Sequence, residues 1–412
     1  MLNQQLSTKH ITGGTFGLER ETLRVTAEGY LSHTLHPFPD DEHIVKDFCE
    51  NQAEINTGVH DTAQGVLKEL QEQSDRLNNE LKKHREIIWL YSNPPYILSE
   101  DDIPIALYEG DQQGKHSYRL YLAEKYGKYK MTLSGIHVNY SLSEQLLSSA
   151  FSQSDLNDYT EYKNAAYLRL AEGMTEYGWI LNLLLSASPI CDGSFFNPRR
   201  TGETVITDYA SLRCGMNGYW NDFTPILQYD SILAYAESIQ KYLDSGALAG
   251  VGELYYPIRL KPKGANRLNN LVQNGVNHIE LRNIDINPFS ETGMDVRDLE
   301  FIELLCIWIF AVYRDRLTEA DQLRSVENFK TAALFDIDSA ILLTRNEQQV
   351  SVREAGLRVL SRMTDYYIGN EKALDLLSYQ QNKLQTPDAR YAVQVIDAFG
   401  DKYVRSGLTL FR

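Results

Sequence analysis

The stretch Gly17-Leu-Glu-Arg-Glu-Thr-Leu-Arg-Val25 alternates acidic, basic and apolar side chains with a period of two residues. Because successive side chains of a β-strand point to opposite faces, this period predicts a strand. Glu19 and Glu21 then share one face, with about 7 Å between their positions, while Arg20 faces the other way. Taken alone, the stretch fits either the solvated face of an edge strand or a rigid platform that presents two carboxylates to a ligand.

Composition limits the classes of function. The chain has 412 residues, of which 43% are hydrophobic and 23% charged, as is ordinary for a globular protein. Its 40 Lys and Arg against 56 Asp and Glu give a net charge of −16. This balance argues against binding to nucleic acids or to anionic membranes, since both require a basic footprint. The sequence contains no linker and no repeat, so we expect a single domain over residues 1–412.

Signals of cellular location point to the cytoplasm. The cysteines are widely spaced and form no C-x-x-C or other metal-binding pattern, which predicts reduced thiols: Cys49, Cys191, Cys214 and Cys306. The first ten residues contain no apolar run, so we expect no secretory leader. The most apolar stretches, residues 179–191 and 301–313, are too short to cross a bilayer and are expected to form buried helices.

Residues 44–57 read as a second strand, which carries Asp47, Glu50 and Glu54. Asp47 and Glu54 are seven positions apart, which is an odd spacing. A plain strand therefore cannot direct both carboxylates to one point without a bulge.

Three later stretches also alternate like strands and carry polar side chains on one face. The pairs that share a face are His137 and Asn139 in residues 131–140, Tyr255 and Arg259 in residues 252–261, and Glu280 and Arg282 in residues 275–289. A structural histidine and a cross-strand ion pair would explain these residues as well as a ligand site would. Pro257 indicates that its strand lies at the sheet edge or ends there.

Helical spacing of apolar residues predicts helices over residues 62–89, 163–185, 223–244 and 295–315, followed by a mostly helical segment over residues 325–403 without a catalytic pattern. Aromatic residues 118–129, with Gly127 as C-cap, are typical of core packing or of a pocket wall. Residues 194–219 are rich in loops, and their arginines are either solvated or suited to hold an anion.

The predicted strands carry more inward-facing charge than a core tolerates without ligands. Several carboxylates suit Mg²⁺, which proteins usually hold together with substrate phosphates. With an arginine nearby, this set suits phosphoryl transfer from ATP. The sequence contains no Walker A motif and no kinase-type Gly-rich loop, so a nucleotide would be held through metal ions. No residue spacing indicates a covalent acyl-enzyme nucleophile.

Six segments of the sequence, in this order, resemble the motifs of bacterial glutamate–cysteine ligases. They are GLERETLRV (17–25), DFCENQAEI (47–55), YRLYL with SGIHVNYSL (118–142), YASLRCGMNGY (209–219), ELYYPIR (253–259) and HIELRNIDINPFS (278–290). The resemblance implies an α+β, glutamine-synthetase-like single domain in which a curved, mainly antiparallel sheet forms a funnel surrounded by helices. It also implies that ATP phosphorylates the γ-carboxylate of L-glutamate and that the amino group of L-cysteine attacks the γ-glutamyl phosphate.

The resemblance also implies roles for residues at matching positions. Two or three Mg²⁺ ions are expected at Glu19, Glu21, Asp47, Glu54, His137 and Glu280. The catalytic residues are expected to be Glu280 and Arg282, the latter at the transferred phosphoryl group. The acceptor pocket is expected to consist of Phe48, Tyr118, Leu122, Arg213, Tyr219 and Tyr255, with Arg213 at the acceptor carboxylate. The implied partners are small-molecule substrates, without nucleic acid or membrane, and the oligomeric state stays open.

Four positions depart from the family pattern: Leu107, Met131, Val138 and His278. Met131 and Val138 flank His137 along the chain, so we expect them to affect acceptor choice or nucleotide position. Two alternatives therefore stay open: a γ-glutamyl ligase with another amine acceptor, and a non-catalytic sensor of glutamate or nucleotide. No ATP-grasp-like extension follows the last residue, so we expect the second step of glutathione synthesis to be absent.

Overall fold

The computed structural model describes residues 13–108 and 110–410. Within these ranges no helix is both long and apolar enough to cross a membrane. The expectation that the chain has no secretory leader concerns its first residues, which lie outside the described ranges.

A sheet of seven strands is the centre of the fold. The strands within the described ranges are β1 Gly14–Thr26, β2 Ile44–Lys46, β3 Gln52–Asn56, β4 Glu86–Trp89, β5 Ile136–Leu142, β6 Ile190–Asp192, β7 Thr204–Ile206, β8 Ile258–Lys261, β9 His278–Ile284, β10 Ile341–Leu343 and β11 Gln349–Ser351. The sheet has the order β2-β3-β1-β5-β9-β8, β4 pairs with the end of β1, and all of these pairings are antiparallel. β1 contains the GLERETLRV segment and pairs with three strands, which confirms it as a strand.

Helices cover much of the remaining chain. They are α1 Ala63–Leu81, α2 Gln113–Tyr126, α3 Glu144–Phe151, α4 Tyr159–Tyr177, α5 Trp179–Leu185, α6 Ile232–Asp244, α7 Leu268–Asn274, α8 Val296–Val312, α9 Glu319–Ala332, α10 Val352–Tyr366, α11 Glu371–Gln385, α12 Tyr391–Phe399 and α13 Tyr403–Gly407. Gly127 ends α2 with a φ of 81°, as predicted. The mostly helical C-terminal segment is confirmed, although β10 and β11 form a hairpin within it.

The single strand predicted over residues 44–57 is wrong. The chain reverses at residues 47–51, and β2 and β3 pair with each other as a hairpin. The difficulty of directing Asp47 and Glu54 to one point disappears, because the reversal and not a bulge brings them to the same side.

The helix predicted over residues 62–89 is too long. It ends at Leu81, a short 3₁₀ turn follows, and Arg85 adopts a left-handed conformation with a φ of 58° before β4 begins. Ile88 fits the helical spacing of apolar residues, but it is buried just as well in β4 by pairing with β1. A continuous apolar pattern cannot reveal such a change of element.

Of the strand predicted over residues 252–261, only residues 258–261 form β8. The preceding residues form a 3₁₀ turn and an irregular segment that contains Tyr255. Pro257 directly precedes β8, and β8 lies at the edge of the sheet. The interpretation of this proline is therefore confirmed.

One face of the sheet is apolar and covered. Leu18, Ile55, Val138 and Leu281 point to this face and belong to the main hydrophobic cluster. Helices α1, α4 and α5 pack on the sheet, and the almost fully buried α8 packs against α1 and α4. This cluster draws residues from Phe16 to Leu384, and a single domain over residues 1–412 stays a prediction. The opposite face is left to the alternating polar residues.

Arg20 lies on the covered face and is fully buried. It donates hydrogen bonds to the Ser74 hydroxyl (2.9 Å) and to the Glu291 carbonyl oxygen (3.3 Å). Burial without a carboxylate partner among the described residues lowers its pKa to about 10.

Candidate active site

Neighbouring strands bring three of the predicted metal ligands together on the open face. Glu19 lies opposite His137 in the β1–β5 register, and Asn139 lies opposite Glu280 in the β5–β9 register. Potential ligand atoms of Glu19, His137 and Glu280 all lie within 4.8 Å of one another. Three strands thus hold two carboxylates and an imidazole around one point.

β1 itself, the neighbouring strand β3 and the turn after β2 add the other predicted carboxylates. Glu21 lies opposite Glu54 in the β1–β3 register, and Asp47 lies at the end of β2, where its N–H donates to the Gln52 carbonyl oxygen. Glu54 accepts one hydrogen bond from Asn56 (2.9 Å). Glu21 accepts one from the backbone N–H of Gly135 (3.0 Å).

This crowding of negative charge changes the acidity of the cluster. Burial, assisted by the neighbouring Asp47, raises the pKa of Glu21 to about 7 despite the nearby Arg213. Burial raises the pKa of Glu54 well above its ordinary value, and the charges of Glu19 and Asp47 add to this effect. The pKa of Asp47 is likewise raised by burial. The protein alone therefore does not compensate these carboxylates, which is the condition that a bound cation would relieve.

Glu280 has the opposite balance of charge. It lies 3.2 Å from Lys261, 3.3 Å from Arg282 and 3.7 Å from Arg259. Burial would raise the pKa of Glu280, but these three cations hold it well below the ordinary value. Its Oε2 atom is buried without a hydrogen-bond partner among the described residues and has only the 3.7 Å ion pair with Arg259.

His137 lies between the two groups. Its Nδ1 is 3.0 Å from Glu19 and its Nε2 is 3.4 Å from Glu21. Burial and the nearby Arg282 lower the pKa of His137 to about 4, so the imidazole is neutral near pH 7 and has a lone pair for a metal ion.

Two cavities meet at this cluster. The smaller has a volume of about 250 Å³ and its walls include five predicted acceptor-pocket residues: Phe48, Tyr118, Leu122, Tyr219 and Tyr255. The larger, of about 840 Å³, is lined by Lys163, Lys261 and Lys263, by backbone at Gly264 and by polar side chains of β5. Glu19 and Glu54 line both cavities. A metal ion held by the cluster would face both compartments.

Arg213 is the one predicted pocket residue that does not line the 250 Å³ cavity. It lies behind the wall, beside a small pocket of about 20 Å³. Its guanidinium donates to the Arg282 carbonyl oxygen (2.5 Å), lies 3.8 Å from Glu21 and packs 5.7 Å from the Tyr219 ring centre. The structure therefore brings Arg213 to the cluster but not into the open cavity.

The four departures from the family pattern lie in different environments. Met131 lines the smaller cavity and His278 the larger one. Val138 is fully buried in the hydrophobic core, because it alternates with His137 along β5. Leu107 is 54% exposed, and its backbone binds Glu50 and Lys46. Of the two residues that flank His137 in the sequence, only Met131 lines the cavity, so Val138 could affect acceptor choice or nucleotide position only indirectly, and this effect stays a prediction.

Sequence reasoning did not include Lys261, Arg119 or Glu253 in the site. Lys261 follows Arg259 by two residues on β8, so strand alternation could have identified it. Arg119 lines the smaller cavity and binds the Asp47 carbonyl oxygen. Its position depends on the contact between α2 and the β2–β3 turn, which no local pattern reveals.

Glu253 supports the wall of the smaller cavity from behind. This fully buried carboxylate accepts hydrogen bonds from Lys125 (2.6 Å) and Tyr126 (2.8 Å) of α2 and from the backbone N–H of Ala249 (2.6 Å). It thereby fixes α2, which carries Tyr118, against the segment that carries Tyr255.

Two solved structures share this fold. Glutamate–cysteine ligase from Francisella tularensis, solved in complex with AMP, covers 97% of this chain and 87% of its own with a TM-score of 0.85 and 22% identity. A bifunctional glutathione synthetase from Pasteurella multocida covers 99% of this chain and 53% of its own with a TM-score of 0.82 and 25% identity. The fold class is therefore α+β of the glutamine-synthetase-like ligase type, as predicted.

The family is established by sequence. A family model for glutamate–cysteine ligase matches residues 1–247 and 224–332, and the chain belongs to this family. A glutathione biosynthesis bifunctional protein from Listeria monocytogenes is 33% identical over 406 residues, which are 94% of this chain and 52% of the relative. A protein of the same description from Streptococcus thermophilus is 34% identical over 74% of this chain and 40% of its own length. The chain spans about half the length of the curated relatives that it matches.

Proposed function

We propose that this protein joins the γ-carboxylate of L-glutamate to the amino group of L-cysteine at the expense of ATP, through a γ-glutamyl phosphate. The observation that carries the proposal is the uncompensated carboxylate cluster on the open face of the sheet, at the boundary between a large and a small cavity. Membership of the glutamate–cysteine ligase family supports the choice of substrates.

Two or three Mg²⁺ ions would be held by Glu19, Glu21, Asp47, Glu54, His137 and Glu280. The raised pKa values of Glu21, Asp47 and Glu54 fit this role, as does the Oε2 of Glu280, which has no hydrogen-bond partner among the described residues. When bound, the ions would neutralise phosphate charge and orient the transferred group. Arg282, held 3.3 Å from Glu280, would contact the same phosphoryl group with its remaining donors.

We assign the larger cavity to the nucleotide, because its volume of about 840 Å³ suits a nucleotide and its lysines complement phosphates. The complex of the Francisella tularensis protein with AMP is consistent with a nucleotide site in this fold. Apart from the shared carboxylates, the two cavities have few lining residues in common.

We assign the smaller cavity to the amino-acid substrates. Its aromatic walls exclude water from the amine and the acyl phosphate, which favours aminolysis over hydrolysis. Phe48, Tyr118, Leu122, Tyr219 and Tyr255 would contact the acceptor. A direct contact between Arg213 and the acceptor carboxylate stays a prediction and requires Arg213 to move from its position behind the wall.

The decisive experiment measures ADP release with L-glutamate and a panel of acceptors that includes L-cysteine, L-2-aminobutyrate and simple amines. We expect the highest kcat/KM with L-cysteine. A clear preference for a non-thiol amine would replace this proposal with the alternative ligase. Tight ATP binding without turnover for any acceptor would indicate a sensor.

The remaining expectations about partners and location also belong to this proposal. The partners are small molecules, without nucleic acid or membrane, and the location is the cytoplasm. The four cysteines are buried and free, which agrees with a reducing compartment.

A further inference from the structure

A second charged cavity lies away from the active site. It has a volume of about 360 Å³ and is formed by the end of α4, by α9 and α10 and by the β10–β11 hairpin. It shares no lining residue with the two cavities at the carboxylate cluster. Nothing in the proposed ligase reaction uses it.

The lining of this cavity is basic in a chain whose net charge is −16. Arginines from three elements reach it, namely Arg324 from α9, Arg345 from the hairpin connection, and Arg358 with Arg362 from α10, while Glu176 is the one carboxylate among its lining residues. Burial raises the pKa of Glu176, which favours its neutral form and reduces its repulsion of an anion. Guanidinium groups from separate elements are therefore concentrated where the overall charge of the chain would not place them.

One of these guanidinium groups retains a free donor, whereas Arg345 is paired with Asp315 (3.0 Å) and Arg358 with Glu354. Arg324 pairs with Asp321 through Nη1 (2.7 Å), but its buried Nη2 has no hydrogen-bond partner among the described residues. Arg362 donates to the Tyr177 hydroxyl (3.1 Å) and packs 5.2 Å from the ring centre of Trp308. Arg358 is one helical turn before Arg362 and is about half exposed at the cavity mouth. A buried guanidinium donor without a partner costs free energy that an anionic ligand would recover.

The rest of the lining is mixed, with polar side chains at Ser325, Asn328, Thr344, Asn346 and Gln348 beside an apolar part. Trp179, Leu342, Val350, Ala355 and Val359 form the apolar walls. A bare inorganic ion makes no favourable contact with apolar walls, whereas the carbon skeleton of an organic ligand does. We propose that this cavity binds a small organic anion that carries two or more negative charges on carboxylate or phosphate groups, which pair with the arginines while its apolar part contacts these walls.

The test is isothermal titration calorimetry on the whole chain without ATP or metal ions, with citrate as the carboxylate probe, glycerol 2-phosphate as the phosphate probe and acetate as the monovalent control. We expect binding of citrate, of glycerol 2-phosphate or of both, and none of acetate. The stronger of the two probes tells which anionic group the cavity prefers. Absence of binding for both probes would overturn the proposal.

Variants locate the binding. The double variant Arg358→Gln/Arg362→Gln is expected to lower the affinity for the probe about tenfold or more, since it removes charge-assisted hydrogen bonds. The matched control is Arg199→Gln/Arg200→Gln, an exposed pair with the same loss of charge. Arg358→Glu, with Arg200→Glu as its control, repeats the test without disturbing the stacking of Arg362. If the cavity and control variants lose the same affinity for the probe, or if neither loses any, the proposal is overturned.

Discussion

Two buried charged clusters of this protein differ in how their charges are compensated. Between α8 and α11, Asp298 accepts hydrogen bonds from Lys383 (2.7 Å), Gln380 (2.8 Å) and Tyr391 (2.7 Å). On the sheet, by contrast, Glu21 and Glu54 lie opposite each other, and burial raises both pKa values. The charge of a structural carboxylate such as Asp298 is neutralised by other residues of the protein. Charge left uncompensated on a rigid sheet marks the place where a ligand completes the compensation.

A third buried carboxylate is compensated in yet another way. Glu303 on α8 accepts a backbone hydrogen bond from Gly14 (3.1 Å) but has no ion pair among the described residues. Burial raises the pKa of Glu303 to about 8, so it carries a proton at neutral pH. The protein thus buries carboxylates with cations, with protons and, as we propose, with metal ions.

The largest expected effect comes from the sheet cluster. Glu280→Gln keeps the size of the side chain but removes the charge that pairs with Lys261, Arg259 and Arg282 and that the proposed metal ion would share. We expect kcat to fall about a thousandfold while unfolding stays cooperative. Steady-state ADP release at saturating substrates, together with thermal unfolding, measures both. Glu203→Gln, an exposed change elsewhere, is the control and should keep full activity. Near-normal turnover in Glu280→Gln would rule out the metal assignment of Glu280.

Glu303 gives a pH-dependent effect on stability. Its folded pKa of about 8 lies above the ordinary value of 4.5, so the folded state binds the proton more tightly. This contribution is complete below about pH 4.5 and is lost as the pH rises through about 8. The loss is on the order of 4 kcal/mol. Glu303→Gln should remove this dependence and make the variant more stable than the wild type at pH 9. Parallel pH–stability curves for the two proteins would contradict the shift.

The helical cluster is expected to affect stability alone. Lys383→Met leaves Asp298 buried without its cation and should lower the free energy of unfolding by about 3 kcal/mol. The kcat per folded molecule should not change. Denaturant unfolding and active-site titration separate the two effects. The double variant Asp298→Asn/Lys383→Met should recover part of the loss. A fall in kcat with unchanged stability would mean that this cluster serves the reaction.

Arg213 belongs to the sheet cluster without lining its open cavity. Arg213→Ala should raise the acceptor KM about tenfold, because the predicted carboxylate contact is lost, and the KM for ATP should change little. Glu253→Gln is an informative companion, since it loosens the same pocket without touching the acceptor. An unchanged acceptor KM in Arg213→Ala would mean that Arg213 does not contact the acceptor and only positions Glu21 and the Arg282 carbonyl group.

The smallest effect concerns the stability cost of the uncompensated carboxylates. The glutamine introduced by Glu54→Gln is neutral in both the folded and the unfolded state. The free energy of unfolding of the metal-free protein should therefore rise by about 1 kcal/mol at pH 7. Mg²⁺ should raise the Tm of the wild type more than that of the variant, because a ligand has been removed. Thermal unfolding with and without Mg²⁺ measures both. An equal Mg²⁺ effect in the two proteins would place Glu54 outside the metal site.

Much of the site could be predicted from single segments. Alternation alone put Glu19 with Glu21 and Glu280 with Arg282, and β1 and β9 present these pairs on the open face. Prediction failed where a single residue pattern continued across the boundary between two secondary-structure elements. Residues 44–57 form a hairpin, and Ile88 lies in a strand that continues a helical pattern. Local propensity is weak at such boundaries, and long-range pairing decides them.

By itself, the sequence determined the period of the strands, the type of charge that each carries and, through its motifs, the family. Only the tertiary structure decided which charges meet. The β2–β3 reversal directs Asp47 to the face that holds Glu54, and Val138 turns into the core while its neighbour His137 faces the metal-ligand candidates. Four arginines from α9, α10 and the hairpin connection meet in a second cavity. Side-chain alternation is a property of the local backbone, whereas proximity between segments depends on strand register and packing, which the chain sets only when it folds as a whole.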